Sequence, residues 1–495
     1  MSIKALLSLP FAKFIVYKNN KWKKNAVKFQ KKIMHELVDR AQHTVFGKNH
    51  SFSKIKNYSD FKKHIPIRDY EDLKSYIQQI IDGGENILWP GKPLYFCKTS
   101  GTTSGTKYIP ISKDSIPTHI TAARDAILCY IAESKNTSIV NGKMIFLQGS
   151  PKLSKTGEIL TGRLSGIVAH HIPAYLVKNR LPSLKTNCID DWEKKIGAIV
   201  DETVDENMTL ISGIPPWVQM YFEKIQLKTN KLIKDVFPNF DLFIYGGVNY
   251  EPYRKKLEAF IGKKVDGIEL YPASEGFIAY QESQEEKGML LCVNHGIFYE
   301  FIRASEFFNN NSNRISLVDV EVGVDYVIIL NTNAGLWGYN IGDTIKFVST
   351  SPYRIIVSGR IKHFTSAFGE HVIAEEVEKS LQEAVKNFYA EINEFHVAPK
   401  INPQKGLPFH EWLIEFEKEP ESIADFSALI DSSLQKHNSY YKDLIEGGVL
   451  RTLKITVVRK NGFRKYMKSI GKLGGQNKVP RLANDRNIAD KLKLF

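Results

Sequence analysis

Apolar positions recur along this 495-residue chain in two rhythms, one helical and one of short unbroken runs, and the balance between them shifts twice. Residues Ala5 to Tyr17 mix apolar side chains with Lys13, and Trp22, Val27, Phe29, Ile33, Leu37 and Val38 then recur at helical spacing among lysines. That pattern predicts an amphipathic opening helix and a second helix over residues 21–45. Residues 51–90 alternate turn signals with short helices and end at Trp89-Pro90-Gly91, ahead of a strand at 94–97. A long helix is expected over residues 115–132. Strands are expected at 144–148, 208–212, 242–245 and 267–270, with helices over 218–225 and through Leu257 and Phe260 between them. Apolar runs alternating with amphipathic helices predict an α/β core with a largely parallel sheet, and ligands of such sheets bind at the carboxyl ends of strands.

From Gly288 to Phe347 strands follow one another directly, at 289–293, 298–302, 326–330 and 344–348. This predicts a β-rich subdomain, an antiparallel sheet or barrel attached to the core. The pattern shifts again at Gly359, where a smaller α+β unit begins. Its expected elements are helices over 374–388 and 423–435 and strands near 394–397, 412–417 and 453–458. The expected organisation is therefore a large N-terminal domain over residues 1–358 and a smaller C-terminal α+β domain over 359–495.

Composition narrows the class. A chain that is 43% hydrophobic buries a sizeable core, and no run of about 18 apolar residues spans a membrane. The four cysteines are scattered without a Cys-x-x-Cys pair, so neither a zinc site nor a disulfide framework is indicated and a reducing cytoplasm is expected. His170-His171 would point to opposite sides of a strand, which favours structural histidines over a metal pair. The net charge of +14 is concentrated at the two ends: residues 1–50 carry eleven Lys and Arg against two acids, and residues 451–495 carry thirteen against two. Such ends suit nucleic acid, an anionic membrane surface, or a field that draws a polyanionic nucleotide inward. The absence of a nucleic-acid module or an interleaved aromatic pattern argues against specific nucleic-acid binding. A monomer is expected.

Chemistry concentrates first at Lys98-Thr-Ser-Gly-Thr-Thr-Ser-Gly-Thr-Lys107, ten residues that are all Gly, Ser, Thr or Lys. Glycines free the backbone to turn its N–H groups toward one point, hydroxyls add donors and lysine adds charge, which together describe a phosphate cradle. It is not a Walker A loop: the fifth residue after Gly101 is Thr106, and Lys107 is followed by Tyr108. With a strand before it and the helix over 115–132 after it, the loop is expected to join strand to helix.

Thr99-Ser-Gly-Thr-Thr103 with Lys107 resembles the phosphate loop of the adenylate-forming superfamily. The variant Ser104-Gly105-Thr106, with Ile109-Pro110 after the lysine, resembles the auxin-responsive Gretchen Hagen family of acyl acid amido synthetases. The resemblance implies that Ser100, Gly101, Thr102, Thr103, Ser104, Gly105 and Lys107 hold ATP phosphates. Tyr271-Pro-Ala273-Ser274-Glu275 looks like the superfamily box whose tyrosine stacks on adenine and whose glutamate binds Mg²⁺, and one hard carboxylate facing a phosphate-bound Mg²⁺ is usual for that ion. Gly246-Gly247-Val248-Asn249 would form the other wall of the adenine pocket. The segment Gly335 to Asp343 looks like the family's Gly-Leu-Tyr-Arg-Tyr-Arg-Leu-Gly-Asp stretch, with Gly338 and Asn340 where arginines are usual. Asp343 would accept from both ribose hydroxyls, as an acceptor-only carboxylate can, and Tyr339 would sit at the substrate. Gly359-Arg360 is similar to the superfamily hinge arginine, which also reaches ribose, and Phe368-Gly369-Glu370-His371 to the segment after it. Gln476-Asn477-Lys478-Val479-Pro480-Arg481 is similar to a C-terminal motif whose lysine approaches the α-phosphate. Arg124, on the helix after the phosphate loop, would pair a second carboxylate on the substrate.

The implied activity is ATP-dependent adenylation of a carboxylic acid, catalysed by Lys107, Glu275 and Lys478, followed by transfer to an amine, an amino acid in the family. A ligase using CoA or a carrier thiol as acceptor shares every nucleotide residue. A non-catalytic protein recruited through its basic termini is the reading from another class.

Overall fold

The computed structural model describes residues 3–102, 105–172, 177–247, 250–307, 313–360, 364–365, 367–370, 372–470 and 479–494, without the side chains of 100–102, 105, 192–193, 251–252, 360, 364–365 and 373–375. The chain divides into two compact units, one formed by residues 1–99, 107–189 and 195–361 and the other by 100–106, 190–194 and 362–495.

The larger unit is built on a twelve-stranded mixed sheet. Its parallel half consists of β3 (Lys143–Phe146), β6 (Arg180–Leu181), β7 (Met208–Ser212), β8 (Leu242–Gly246) and β9 (Asp266–Ala273). The antiparallel half consists of β10 (Gly276–Tyr280), β11 (Met289–Leu291), β12 (Ile297–Arg303), β13 (Ile315–Ser316), β14 (Asp325–Thr332), β15 (Tyr339–Thr350) and β16 (Tyr353–Arg360). The order is β13-β12-β14-β15-β16-β11-β10-β9-β8-β7-β3-β6. The expected attached sheet or barrel is thus corrected: β9 turns directly into β10, and the antiparallel strands continue the same sheet. Alternating strands and helices favour parallel pairing and tight turns favour antiparallel pairing, so one sheet changes character where the crossover helices stop.

A four-stranded sheet, in the order β2-β1-β5-β4, carries the phosphate-loop residues; its strands are β1 (Tyr95–Thr102), β2 (Gly105–Ile111), β4 (Ser154–Thr156) and β5 (Ile159–Gly162). The described residues of the Gly-Ser-Thr stretch therefore lie on two adjacent strands, and the helix Ile116–Ser134 begins only after β2. The expected strand-to-helix junction is a hairpin instead. The helix expected over residues 21–45 is interrupted between α1 (Ile3–Lys23) and α2 (Ala26–Ala41), and His170-His171 follow the short helix Leu164–Ala169 rather than lying in a strand. His170 Nε2 is 2.9 Å from Pro151 O and His171 Nε2 is 3.0 Å from the Tyr95 hydroxyl, so both are structural.

The smaller unit pairs β17 (Phe364–Thr365) with β18 (Val372–Ile373) and stacks the helices Ala374–Phe388 and Ile423–His437 beside a sheet of β19 (Glu391–Lys400), β20 (Phe409–Lys418) and β21 (Lys454–Val457). Inside it, fully buried Glu370 accepts from Phe368 N at 2.8 Å and sits 2.8 Å from His410 Nε2. Glu370 is therefore an interior anchor of this unit. No helix among the described residues is long and apolar enough to cross a membrane.

Candidate active site

Four backbone segments of the larger unit converge where the sheet changes character. Gly246 ends β8 and pairs in register with Leu270 of β9; a Cβ on Gly246 would stand 2.2 Å from Leu270 O, so no other residue fits this approach. Gly247 follows in the left-handed region at φ 80°, and Tyr245 stacks on Tyr250 across this turn, with ring centroids 4.4 Å apart. Val248 and Asn249 lie outside the described residues.

One residue beyond Leu270, Tyr271 projects from β9 and its hydroxyl donates to Asp343 Oδ2 at 2.5 Å. Asp343 stands on β15 directly across from Arg360 of β16. One strand pairing and one side-chain hydrogen bond thus join three of the sequence-predicted nucleotide residues, although the Arg360 side chain lies outside the described set. Asp343 is 8% exposed, and it lies within β15 rather than in a turn.

The chain then turns between β9 and β10 through Ser274 and Glu275 alone, Ala273 pairing with Gly276. The half-buried Glu275 is at the tip of this hairpin. The Cys97 thiol, on β1, reaches the Ser274 hydroxyl at 3.1 Å and so ties the strand that leads into the phosphate loop to the glutamate turn. Burial, with the Glu275 carboxylate nearby, pushes that thiol up to about 12, so it stays protonated and serves as a packing group.

Lys107 follows on β2, its ammonium 5.8 Å from the centroid of the Tyr70 ring. The backbones of Ser100, Gly101, Thr102 and Gly105 are strand, while Thr103, Ser104 and Lys478 lie outside the described residues.

Two candidate substrate residues take other surroundings. Arg124 Nε and a terminal nitrogen both donate to Asp125 Oδ1, at 2.9 and 2.7 Å, and Asp125 Oδ2 accepts from Asn19. Tyr339 is fully buried in the core cluster that includes Leu336, Trp337 and Phe96. The departure at Gly338 has a steric cause: its φ is 58° and a Cβ would meet Pro66 O at 2.2 Å, which excludes arginine. Arg163 escaped sequence reading. It follows Gly162, which pairs with Cys97, and its charge acts on that thiol, so register alone brings it to the site.

Comparison with known proteins bears on the fold and the family. The chain superimposes on the GH3.15 acyl acid amido synthetase bound to 2,4-DB with a TM-score of 0.61 over 98% of this chain and 96% of that one, at 16% identity. It superimposes on 2-hydroxyisobutyryl-CoA ligase, in complex with 2-HIB-AMP and CoA, with a TM-score of 0.60 over 97% and 93%, at 13% identity. The fold is that of the adenylate-forming ligases. Within that class the GH3 family N-terminal, central and C-terminal domain models match residues 17–185, 290–360 and 375–487, and the chain belongs to the GH3 family. It is 22% identical to a jasmonoyl–L-amino acid synthetase of Nicotiana attenuata over 94% of this chain and 92% of that protein. It is also 22% identical to an indole-3-acetic acid-amido synthetase of Arabidopsis thaliana over 94% and 90%. Gly246, Gly247, Tyr271 and Glu275 lie between the first two matched stretches, whereas Asp343 and Arg360 fall inside the central one.

Proposed function

We propose that this chain activates a carboxylic acid as its acyl-adenylate and transfers the acyl group to an amine, an amino acid by analogy with its relatives. The observation that carries the reading is the contact of Tyr271 with Asp343, set opposite Arg360 in register. It groups a ring for adenine with an acceptor for ribose hydroxyls beside a glycine wall that a Cβ would block. Asp343 and Arg360 hold the ribose, Lys107 and the Gly-Ser-Thr hairpin hold the triphosphate, and Glu275 holds Mg²⁺. The donor set fits that ion. No cluster of three or more His, Cys, Asp or Glu residues able to hold a metal occurs among the described residues, and Mg²⁺ is commonly held by one or two carboxylates together with nucleotide phosphates. When bound, Mg²⁺ neutralises charge on the leaving pyrophosphate.

In the first half-reaction a carboxylate oxygen bonds to the α-phosphorus as the bond to the β-phosphate breaks, with Lys107 and Lys478 balancing the developing charge. In the second, the amine nitrogen bonds to the acyl carbon, AMP leaves and the nitrogen gives up a proton. Residues from 359 onward act as the smaller mobile domain, a reading supported by the division of the chain near residue 361.

Pyrophosphate release with ATP, Mg²⁺ and a panel of aryl, indole and fatty acids, run with amino acids or with CoA, tests the proposal. Acid-dependent release with an amide as product supports it. Thioester in the CoA wells would replace it with the thiol-acceptor reading, and absence of both ATP binding and release across the panel would overturn it.

A further inference from the structure

The two faces of α1 have different fates. Ala5, Ala12, Ile15 and Trp22 are buried, with Asn19 among them donating to Asp125 Oδ2 at 2.9 Å, and this seats the helix on the larger unit. On the opposite face stand Ile3, Leu6, Leu7, Phe11, Phe14 and Tyr17, each between 46% and 78% exposed. Their spacing of three, four and seven residues makes one stripe, about 21 Å long at 1.5 Å per residue. Single exposed apolar residues are ordinary, but a contiguous stripe of two phenylalanines, a tyrosine and three aliphatics marks a contact surface.

Charge decides which surface it meets. Residues 1–35 contain nine lysines and no aspartate or glutamate. Lys4, Lys13, Lys18 and Lys21 are exposed on the same helix as the stripe, and Lys24 and Lys28 are exposed just beyond. A second copy of the chain would bring two such lysine sets together and repel. A bilayer carrying anionic headgroups satisfies both features: the lysines lie at the phosphates while the apolar stripe enters the headgroup boundary. The helix does not span, because its other face is committed to the protein core.

We infer that α1 is an interfacial membrane-docking helix that holds this protein on anionic phospholipid surfaces with Ile3, Leu7 and Phe14 inserted. The inference is independent of the adenylation chemistry, since no α1 residue belongs to the candidate site.

The test is co-sedimentation of the full chain with vesicles of phosphatidylcholine alone and with vesicles in which phosphatidylglycerol replaces part of it, at low and high salt. Binding is expected only to the anionic vesicles and is expected to weaken with salt. The double variant Leu7→Asp with Phe14→Asp should bind at least tenfold more weakly. The triple variant Lys4→Gln, Lys13→Gln, Lys18→Gln should lose roughly a hundredfold, about fivefold per lysine. Both should keep the parent's melting temperature and its ATP turnover in vesicle-free buffer. Phe14→Ala, which only truncates an exposed ring, stands in if the double variant melts early, and should weaken binding in the same direction. Equal sedimentation with neutral vesicles, no binding to anionic ones, or binding untouched by the variants would overturn the inference. So would a parent dimer that Leu7→Asp with Phe14→Asp splits, which would assign the stripe to a second copy, or saturable binding of an acidic protein with none to vesicles.

Discussion

Glu300 and Asp343 are carboxylates of the same sheet, separated by β14 alone, yet they are put to opposite uses. Glu300 on β12 is fully buried, 2.9 Å from the Arg314 guanidinium and accepting from Asn331 Nδ2 at 3.0 Å. Burial raises its carboxyl above the ordinary value and Arg314 only partly offsets that. Such a pair closes on itself and offers nothing to a ligand. Asp343 on β15 keeps some surface open, takes a tyrosine hydroxyl and stands at a strand position facing Arg360. Glu300 is thus a fully buried charge held by an arginine and an asparagine, whereas Asp343 is an 8%-exposed charge beside the tyrosine of the glutamate turn.

The sharpest way to break the comparison is Glu300→Ala. It leaves Arg314 buried without its counter-ion and is expected to cost about 3–5 kcal/mol of stability, read by denaturant unfolding. Turnover per folded molecule should be preserved, and lost turnover with unchanged stability would erase the distinction. Glu275→Gln is expected to lower acid-dependent pyrophosphate release by roughly a hundredfold with little change in melting temperature, checked by raising Mg²⁺, which should recover part of the rate. Asp343→Ala is expected to weaken ATP use about thirtyfold, as loss of hydrogen bonds to a charged group does. An effect on melting as large as that of Glu300→Ala would make Asp343 structural after all. Tyr271→Phe keeps the ring and removes only the hydroxyl on Asp343, so KM for ATP should rise about fivefold with kcat nearly kept.

A separate effect, on stability alone, concerns the other unit. Burial alone would raise the Glu411 carboxyl, but hydrogen bonds from Lys493, Thr456 and Arg486 outweigh it and hold the group at about 2, below its ordinary 4.5. A depressed carboxyl contributes stability that is present above its unfolded value and lost as pH falls through the folded one. Unfolding measured from pH 4.5 down toward 2 should therefore show a steeper decline for the parent than for Glu411→Gln.

Much of the candidate site was legible because its residues cluster in short stretches with unusual composition. Gly246-Gly247, Tyr271 to Glu275 and Gly342-Asp343 each combine a backbone need with a chemical group, and both are local properties. Arg163 was not legible, since nothing in its neighbourhood signals chemistry until β5 pairs with β1. Tyr339 reads as a ligand residue in its motif, but packing with Trp337 and Phe96 puts it in the core. The strand-to-helix expectation for the phosphate loop failed because Gly105–Ile111 pairs with β1 before the helix begins, and apolar runs of that length fit a hairpin as well as a crossover.

By itself the sequence determined the parallel half of the sheet, the change to antiparallel strands, the smaller α+β region and the residue types of the site. Each follows from periodicity or from the chemistry of a few adjacent side chains. The tertiary structure decided which strands are neighbours, that Asp343 meets Tyr271 and faces Arg360, that Gly338 excludes arginine, and which face of α1 is left to solvent. Those outcomes depend on register and burial between residues far apart in the chain, where a shift of one position exchanges one face of a strand for the other.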